Sequence, residues 1–555
     1  MVAGTFFRSP LLPTRHMPTV IVDGKDIEIG AHERLNCIEV ARRAGVEIPH
    51  YCWHPGLSVV ASCRMCLIET GTRDAATGKI TMMPKLVPGC QTPAKDGTVI
   101  VTDTALVKDS RARVEESLLI DHPIDCSICD KAGECLLQDY HFEHGQAERR
   151  TDLNPFHSRR RDVGPTVTLF VDRCIMCTRC VRFTREVSGT SELMVINRGS
   201  KEEIAVFPGF PLDNKLSGNV VDLCPVGALG DKDFLYQQRV WFLKRESNVC
   251  GGCSAGCSIV TEHNQDTVYR LKPRENPHVN KWWMCDDGRY GWHHLHDPAR
   301  LLSAGRLVST NDDRETVEWS DVTTRLRQDL SGAGRLAVAV SPMLTLEEAW
   351  MLCAVARSID QQAALFVGHV PVSGSDESFP GGFTIRAEKC PNRIGVEAVV
   401  ALFEPEIRGW NDLVGAVGAG EYDAAWITAG YPHAWIDDTT AAPFGRLRSL
   451  VVQDLFESPL SKLATWRLPA AGFAERAGTW VNVAHRAQVF AAAVRAPAGV
   501  WPEGRLYWNM LGRRGLYDPA AVRRQIAESS AALAALGADL PAVGVDLRVD
   551  QLASS

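Results

Sequence analysis

The cysteines of this chain are grouped, and the grouping limits what the chain can fold into. Fifteen of eighteen fall into four sets before residue 286, and a sixteenth, Cys37, stands apart among them. A fold that gathers three or four thiols at each of four separate points must be built around those points. The spacing C-x2-C recurs in the sets, which in a 555-residue chain points to metal binding more than to disulfides. A reducing compartment follows from the same usage. Thiolates at such spacings hold iron and inorganic sulfide, or zinc.

The first set is Cys52, Cys63, Cys66 and Cys90, spaced C-x10-C-x2-C-x23-C. It follows a hairpin and a helix, the layout of a plant-type ferredoxin, with a longer first gap than that type's C-x4-C. It suits one [2Fe–2S] cluster, with structural zinc as the alternative. Cys37 reads as a small core residue. The second set is Cys126, Cys129 and Cys135, preceded by His122 in DHPIDCSICDKAGEC. Three thiolates leave one iron of a cubane without a ligand, and a neutral imidazole four residues upstream supplies one. The alternative is a satisfied surface histidine with a fourth ligand elsewhere. Imidazole in place of thiolate makes the site less negative, which raises its potential, other things equal.

The third set, Cys174, Cys177, Cys180 and Cys224, joins C-x2-C-x2-C to a remote Cys-Pro, the pattern of a bacterial-ferredoxin [4Fe–4S] site. Pro225 stops helix or ladder at the last ligand. The fourth set, Cys250, Cys253, Cys257 and Cys285, is spaced C-x2-C-x3-C-x27-C, with Gly251 and Gly252 between its first two members. A third [4Fe–4S] cluster is expected there, with zinc again the alternative. The candidate ligands are thus fifteen cysteines and one histidine.

Around these sets, MPTVIVDGKDIEIG alternates about Asp23-Gly24 and predicts a hairpin. A short helix is expected near Cys37–Ala44, ended by Gly45. Residues 105–145 read as mostly helical. Arg149, Arg150 and Arg159–Arg161 form a basic linker, expected as a solvated loop. After about residue 304 cysteine nearly vanishes. RLAVAVSPMLTLEEAWMLCAVARSI, YDAAWITAG and LRSLVVQDL read as buried strands alternating with helix, hence an α/β unit with a largely parallel sheet. Cys353 is expected in the core, and Cys390 near the surface. His293, His294 and His296 read as a partly exposed turn.

Hydrophobic residues make up 45%, and the net charge of −7 gives no sign of nucleic-acid binding. No apolar run reaches the roughly 18 residues that span a bilayer. Residues 1–16 carry basic side chains and no acid; a loose tail or early start, with Met17 opening the first strand, is expected over a targeting signal. No dinucleotide fingerprint, Walker loop or nucleophile elbow is present.

From about residue 18 to 303, the order of sets and the runs HPIDCSICDKAGEC and DRCIMCTRC…CPVGAL resemble the large iron–sulfur subunit of respiratory complex I, the G-subunit of NADH-quinone oxidoreductase. The resemblance implies the [2Fe–2S] site at the first set, the histidine-ligated [4Fe–4S] site at the second, the next [4Fe–4S] site at the third, and at the fourth an extra site kept by some bacterial members and off the main electron path. Residues 304–555, best in LVVQDLFESPLSKLATWRLPAAGFAERAGTWVNVAHRAQ, look like a molybdopterin oxidoreductase fold. No residue clearly matches its molybdenum ligand, and Asp287 stands where catalytic members carry a lysine after the last cluster cysteine.

The expected architecture is therefore multidomain α+β and α/β: a [2Fe–2S] plant-type ferredoxin-like domain at 17–104, a helical His/Cys3 cluster domain at 105–160, a bacterial ferredoxin-like domain at 161–240, a [4Fe–4S] unit at 247–303, and a molybdopterin oxidoreductase-like domain without cofactor at 304–555. The implied role is electron transfer within a proton-translocating NADH:quinone oxidoreductase, between a flavin-bearing subunit and quinone-module subunits. The implied location is peripheral, on the cytoplasmic face of the bacterial inner membrane. Catalytic NAD-linked formate dehydrogenase, iron-only hydrogenase and a structural zinc protein are the alternatives.

Overall fold

The computed structural model describes residues 17–548, except 149, 156, 158, 159, 200 and 309–312. Residues 1–16, with the question of a leader, lie outside the described residues. Thr19–Val22 pairs antiparallel with Lys25–Glu28. Asp23 and Gly24 both take positive φ, 46° and 83°, as a two-residue turn between twisted strands requires. The helix Cys37–Arg43 starts at a reciprocal Asn36–Glu39 capping box and stops before Gly45. Thr98–Val101 then lies parallel to Thr19–Val22 and antiparallel to Leu67–Arg73. Val20, Val22, Ile38, Val40, Ile68 and Ile100 fill the core between sheet and helix. The long connection from this helix to the strand Leu67–Arg73 carries Cys52, Cys63 and Cys66.

Residues 105–145 are helical in two pieces, Ala105–Asp121 and Leu136–His144. The break is the segment from His122 to Cys135, where Pro123 disfavours helix at the residue before it. The basic linker, of which Arg149 and Arg159 lie outside the described residues, is not wholly a solvated loop. Its end, Arg160–Asp162, is the edge strand of a three-stranded antiparallel sheet with Val167–Phe170 and Leu229–Asp231. Arg160 Nε donates to Thr168 Oγ1 at 2.8 Å and Arg161 pairs with Glu203 at 2.8 Å, so partners hold what the composition left free.

Lys244–Val249, Ser258–Asn264 and Thr267–Pro273 form an antiparallel meander beside the fourth set. Beyond it a seven-stranded sheet runs in the order Arg314–Thr316, Gly305–Leu307, Trp466–Pro469, Ser449–Asp454, Ala424–Thr428, Leu336–Val340, Ala364–Val367. The last five are parallel. LAVAV at 336–340 is buried throughout, as a strand covered on both faces must be. Its alternate residues feed two cores: Leu336, Val338 and Val340 on one face, Ala337 and Ala339 on the other. Strand order reverses between Leu336–Val340 and Ala424–Thr428, and the crevice of such a sheet opens at the carboxyl ends there. Among the described residues, no helix is long and apolar enough to cross a membrane.

Candidate metal centres

In the first set all four thiols meet. Cys52 Sγ is in hydrogen-bonding contact with Cys63 and Cys90, and Cys66 with Cys90. Cys52, Cys66 and Cys90 are each 1% exposed. Ala61 and Arg64, either side of Cys63, take positive φ (50° and 60°), which wraps the loop about the sulfurs. Thiol donors beside Cys52, Cys63 first, push its pKa far down, while acceptance by Cys52 and burial push Cys63 up. Four thiols in contact, three of them buried and Cys63 partly so, cannot all ionise unless a cation joins them. That donor chemistry fits iron.

In the second set His122, Cys126 and Cys135 line one hollow of about 730 Å³ with Leu119, Ile120 and Phe142. His122 closes the helix Ala105–Asp121, and its Nδ1 is buried with no hydrogen-bond partner among the described residues. Burial, then the nearby Arg173, hold its pKa down at about 4, so the ring is the neutral form that offers a lone pair. Cys135 caps the helix Leu136–His144, and the amides of Leu137 and Gln138 face its sulfur. Cys129 interacts electrostatically with Cys126 and Cys135, completing the group. Cys126 is exposed, unlike any other candidate thiol.

The third set is gathered as well: Cys180 feels Cys177, Cys174 and Cys224. Met176 and Thr178 flank Cys177 with positive φ, 51° and 58°, repeating the geometry around Cys63. The Met176 amide donates to Cys174 Sγ at 3.4 Å. Burial, then the neighbouring Cys224, push Cys177 up to about 11. Cys224 ends the short helix Asn219–Leu223, and Pro225 follows.

The sets interlock. Pro225 O accepts from the Leu136 amide at 2.9 Å, next to Cys135. A Cβ on Gly227 would lie 2.1 Å from Cys129 Sγ, so only glycine fits. Cys224-Pro-Val-Gly thus serves both the third and second sets. One nitrogen of Arg182, Nη2, donates to Cys52 O and Cys177 O, joining first and third. Tyr51, beside Cys52, packs on Tyr140 with ring centroids 5.3 Å apart and interacts with Cys135, joining first and second.

In the fourth set Cys257 feels Cys250, Cys253 and Cys285. Amides of Gly252 and Gly288 approach Cys250 Sγ at 3.5 Å and Cys285 Sγ at 3.3 Å. Asn219 clamps Met284 through its carbonyl (2.7 Å) and amide (3.1 Å), tying Cys285 to the helix that ends at Cys224. Asp287 opposes ionisation of Cys250 and Cys285. Between this set and the sheet crevice lies a hollow of only about 40 Å³, lined by Cys250, Gly288, Met343, Phe473, Arg476 and Trp480. That is room for a few waters, whereas cofactor-sized ligands need roughly 300 Å³ or more. A pterin cofactor does not fit.

Cys37 and Cys353 are fully buried, as expected. Cys390 is not near the surface: it is 0% exposed, packed with Met343, Ala429 and Tyr431. Its charged sequence neighbours pair with one another, Arg393 with Glu388 at 2.7 Å, which lets the thiol turn inward. His293 and His296 are exposed; His293 meets Asp233 at 2.9 Å. Sequence reasoning passed over Arg179, Arg182 and Gly227. Two arginines inside a cysteine ladder, Cys-Thr-Arg-Cys-Val-Arg, were a signal that could have been followed.

Family models match three stretches: a 2Fe-2S iron-sulfur cluster binding domain at 16–105, the NADH-ubiquinone oxidoreductase-G iron-sulfur binding region at 111–150, and the ferredoxin-like domain of NADH-quinone oxidoreductase subunit 3 at 164–230. The NADH-quinone oxidoreductase G-subunit of Rickettsia felis is 33% identical over 60% of this chain and 47% of its own length. The NADH-ubiquinone oxidoreductase 75 kDa subunit of Reclinomonas americana is 34% identical over 60% of this chain and 46% of its own. The chain spans about half the length of these curated relatives. A solved structure titled as an NAD+-reducing [NiFe]-hydrogenase aligns with 40% of this chain and 91% of its own at 27% identity, with a TM-score of 0.33. Over the stretches these matches cover, the chain is similar to G-subunits of NADH-quinone oxidoreductase.

Proposed function

We propose that this chain is the iron–sulfur electron-transfer subunit of a proton-translocating NADH:quinone oxidoreductase. It takes electrons from a flavin-bearing subunit and passes them toward quinone-module subunits. The interlocking of the first three sets through Arg182, Tyr51 and Cys224–Gly227 carries this reading, because short bridges between cluster sites are what electron transfer needs.

On this reading Cys52, Cys63, Cys66 and Cys90 hold a [2Fe–2S] cluster. His122, Cys126, Cys129 and Cys135 hold a [4Fe–4S] cluster, and Cys174, Cys177, Cys180 and Cys224 another. Cys250, Cys253, Cys257 and Cys285 hold a third [4Fe–4S] cluster, off the main path. The domains run 17–104, 105–160, 161–240, 247–303 and 304–555, the last a molybdopterin oxidoreductase-like scaffold whose crevice Trp480, Phe473 and Met343 have filled. The clusters supply one-electron redox steps; the protein supplies burial, hydrogen bonds and orientation.

The second set is the exit. Cys126 is exposed, and Ile124 (76%), Phe142 (80%) and Trp241 (57%) form an apolar rim near it. Such a patch suits a partner that takes the electron over a short gap. The subunit is peripheral, held on the cytoplasmic face by its partners.

Affinity purification of the tagged chain from solubilised membranes tests this. NADH:quinone oxidoreductase activity should co-purify. Formate oxidation with about one molybdenum or tungsten per chain would overturn the reading.

A further inference from the structure

Arg179 and Arg182 lie between the first and third sets, 6% and 4% exposed. Every hydrogen bond they make goes to a main-chain carbonyl. Arg179 donates to Leu223 O at 3.2 Å and Trp53 O at 2.6 Å. Arg182 donates to Ser58 O, Cys52 O and Cys177 O. Both Nε atoms are buried without a partner among the described residues. Among the described residues neither guanidinium makes an ion pair; Glu186 bonds to Ser58 N and Oγ, not to Arg182. A buried cation without a counter-charge is costly and persists only where an anion is close. Apart from Ser58, their carbonyl partners belong to Cys52, Cys177 and the immediate neighbours of Cys52 and Cys224, so the anion they await is at the ligands themselves.

We propose that Arg179 and Arg182 are shared counter-cations of the first and third clusters, raising the reduction potential of both. The proposal rests on the cluster assignment above. A cluster held by four thiolates is dianionic when oxidised and trianionic when reduced. A fixed buried cation stabilises the reduced form more, because the attraction scales with the charge it faces. The second set lacks this arrangement. Its buried arginine, Arg173, is matched by Asp125 at 3.3 Å. Both Arg179 and Arg182 are positioning residues, acting through field and not through contact with a substrate.

The test is an EPR-monitored redox titration of the full-length chain carrying its clusters. Arg182→Gln keeps N–H donors but loses the charge; Arg182→Lys keeps the charge. The glutamine variant should shift the equilibrium of both first and third clusters about tenfold toward the oxidised form, about 59 mV lower for a one-electron couple. The lysine variant should retain the starting potentials, and the second cluster should not move in either. Should Arg182→Gln fail to assemble, Arg179→Gln against Arg179→Lys makes the same comparison. Unchanged potentials in the glutamine variant, or equal falls in both variants, overturn the proposal. An unsubstituted protein without iron–sulfur signals would instead overturn the cluster assignment.

Discussion

Two regions of the molecule treat buried arginine in opposite ways: the α/β unit, and the seam between the first and third cysteine sets. In the α/β unit Arg476 meets Glu348 and Glu503, and Arg523 lies near Glu347; elsewhere in the cluster half Arg173 meets Asp125, Arg289 meets Asp222 and Arg300 meets Glu475. At the seam Arg179 and Arg182 rest on carbonyls alone. The contrast teaches that the α/β unit is electrically complete as a polypeptide, whereas the seam between the first and third sets is completed by something anionic that the polypeptide holds. The same division holds for packing. The crevice of the α/β half is filled by its own side chains, while the cysteine sets leave their thiols turned toward one another.

The strongest way to break this comparison is to remove the metal. Cluster binding energy is folding energy where no preformed core replaces it. Iron chelation should therefore abolish hydrogen-exchange protection around the first three sets and leave the strands Leu336–Val340 and Ala424–Thr428 protected. Equal loss in both halves, or none in either, would contradict it. Next in size, Arg476→Met should destabilise the α/β half by about 3–5 kcal/mol, because it strands Glu348 and Glu503 as buried, unpaired charges. Denaturant unfolding followed by the buried tryptophans of that half measures this.

A smaller effect comes with pH. Burial raises the Glu347 carboxyl from 4.5 to about 7. Between those values the folded protein keeps a proton that the unfolded chain has released. The contribution of Glu347 to the stability of the α/β half is thus greatest below about 4.5, falls as pH rises to about 7 and is level above, a loss on the order of 3 kcal/mol. Exchange rates of Leu336–Val340 across that range should reflect it, and Glu347→Gln should make the curve shallower, with Glu503 and Asp454, raised by burial to about 7 and about 6, keeping the remainder; a slope unchanged by the substitution would exclude Glu347 as a source. The smallest effect expected is in the cluster half. His122→Cys should keep its cubane but lower the potential by about 59 mV, a tenfold shift. An EPR titration without any change at that cluster would count against His122 as a ligand.

Much of this was readable in the sequence because the signals are local. C-x2-C spacings, the Asp23-Gly24 turn, the apolar run at 336–340 and the capping residues act within a few positions. What escaped acts over distance. Arg182 reaches Cys52 across 130 residues, and Gly227 makes room for a sulfur at Cys129. Cys390 turned out buried because neighbouring charges pair among themselves. Arg160–Asp162 became a strand because Val167–Phe170 offered an edge. The narrowness of the crevice depends on Trp480 and Phe473, which arrive from far along the chain beyond the strand Leu336–Val340, and no spacing reveals that.

The central claim is that the cysteine sets hold iron–sulfur clusters. Iron, acid-labile sulfide and molybdenum analysis of the anaerobically purified chain, with EPR of the reduced protein, tests it most directly. The expected result is about 14 irons with matching sulfide, signals of both [2Fe–2S] and [4Fe–4S] type, and no molybdenum. A colourless protein holding zinc, with no acid-labile sulfide, would contradict it.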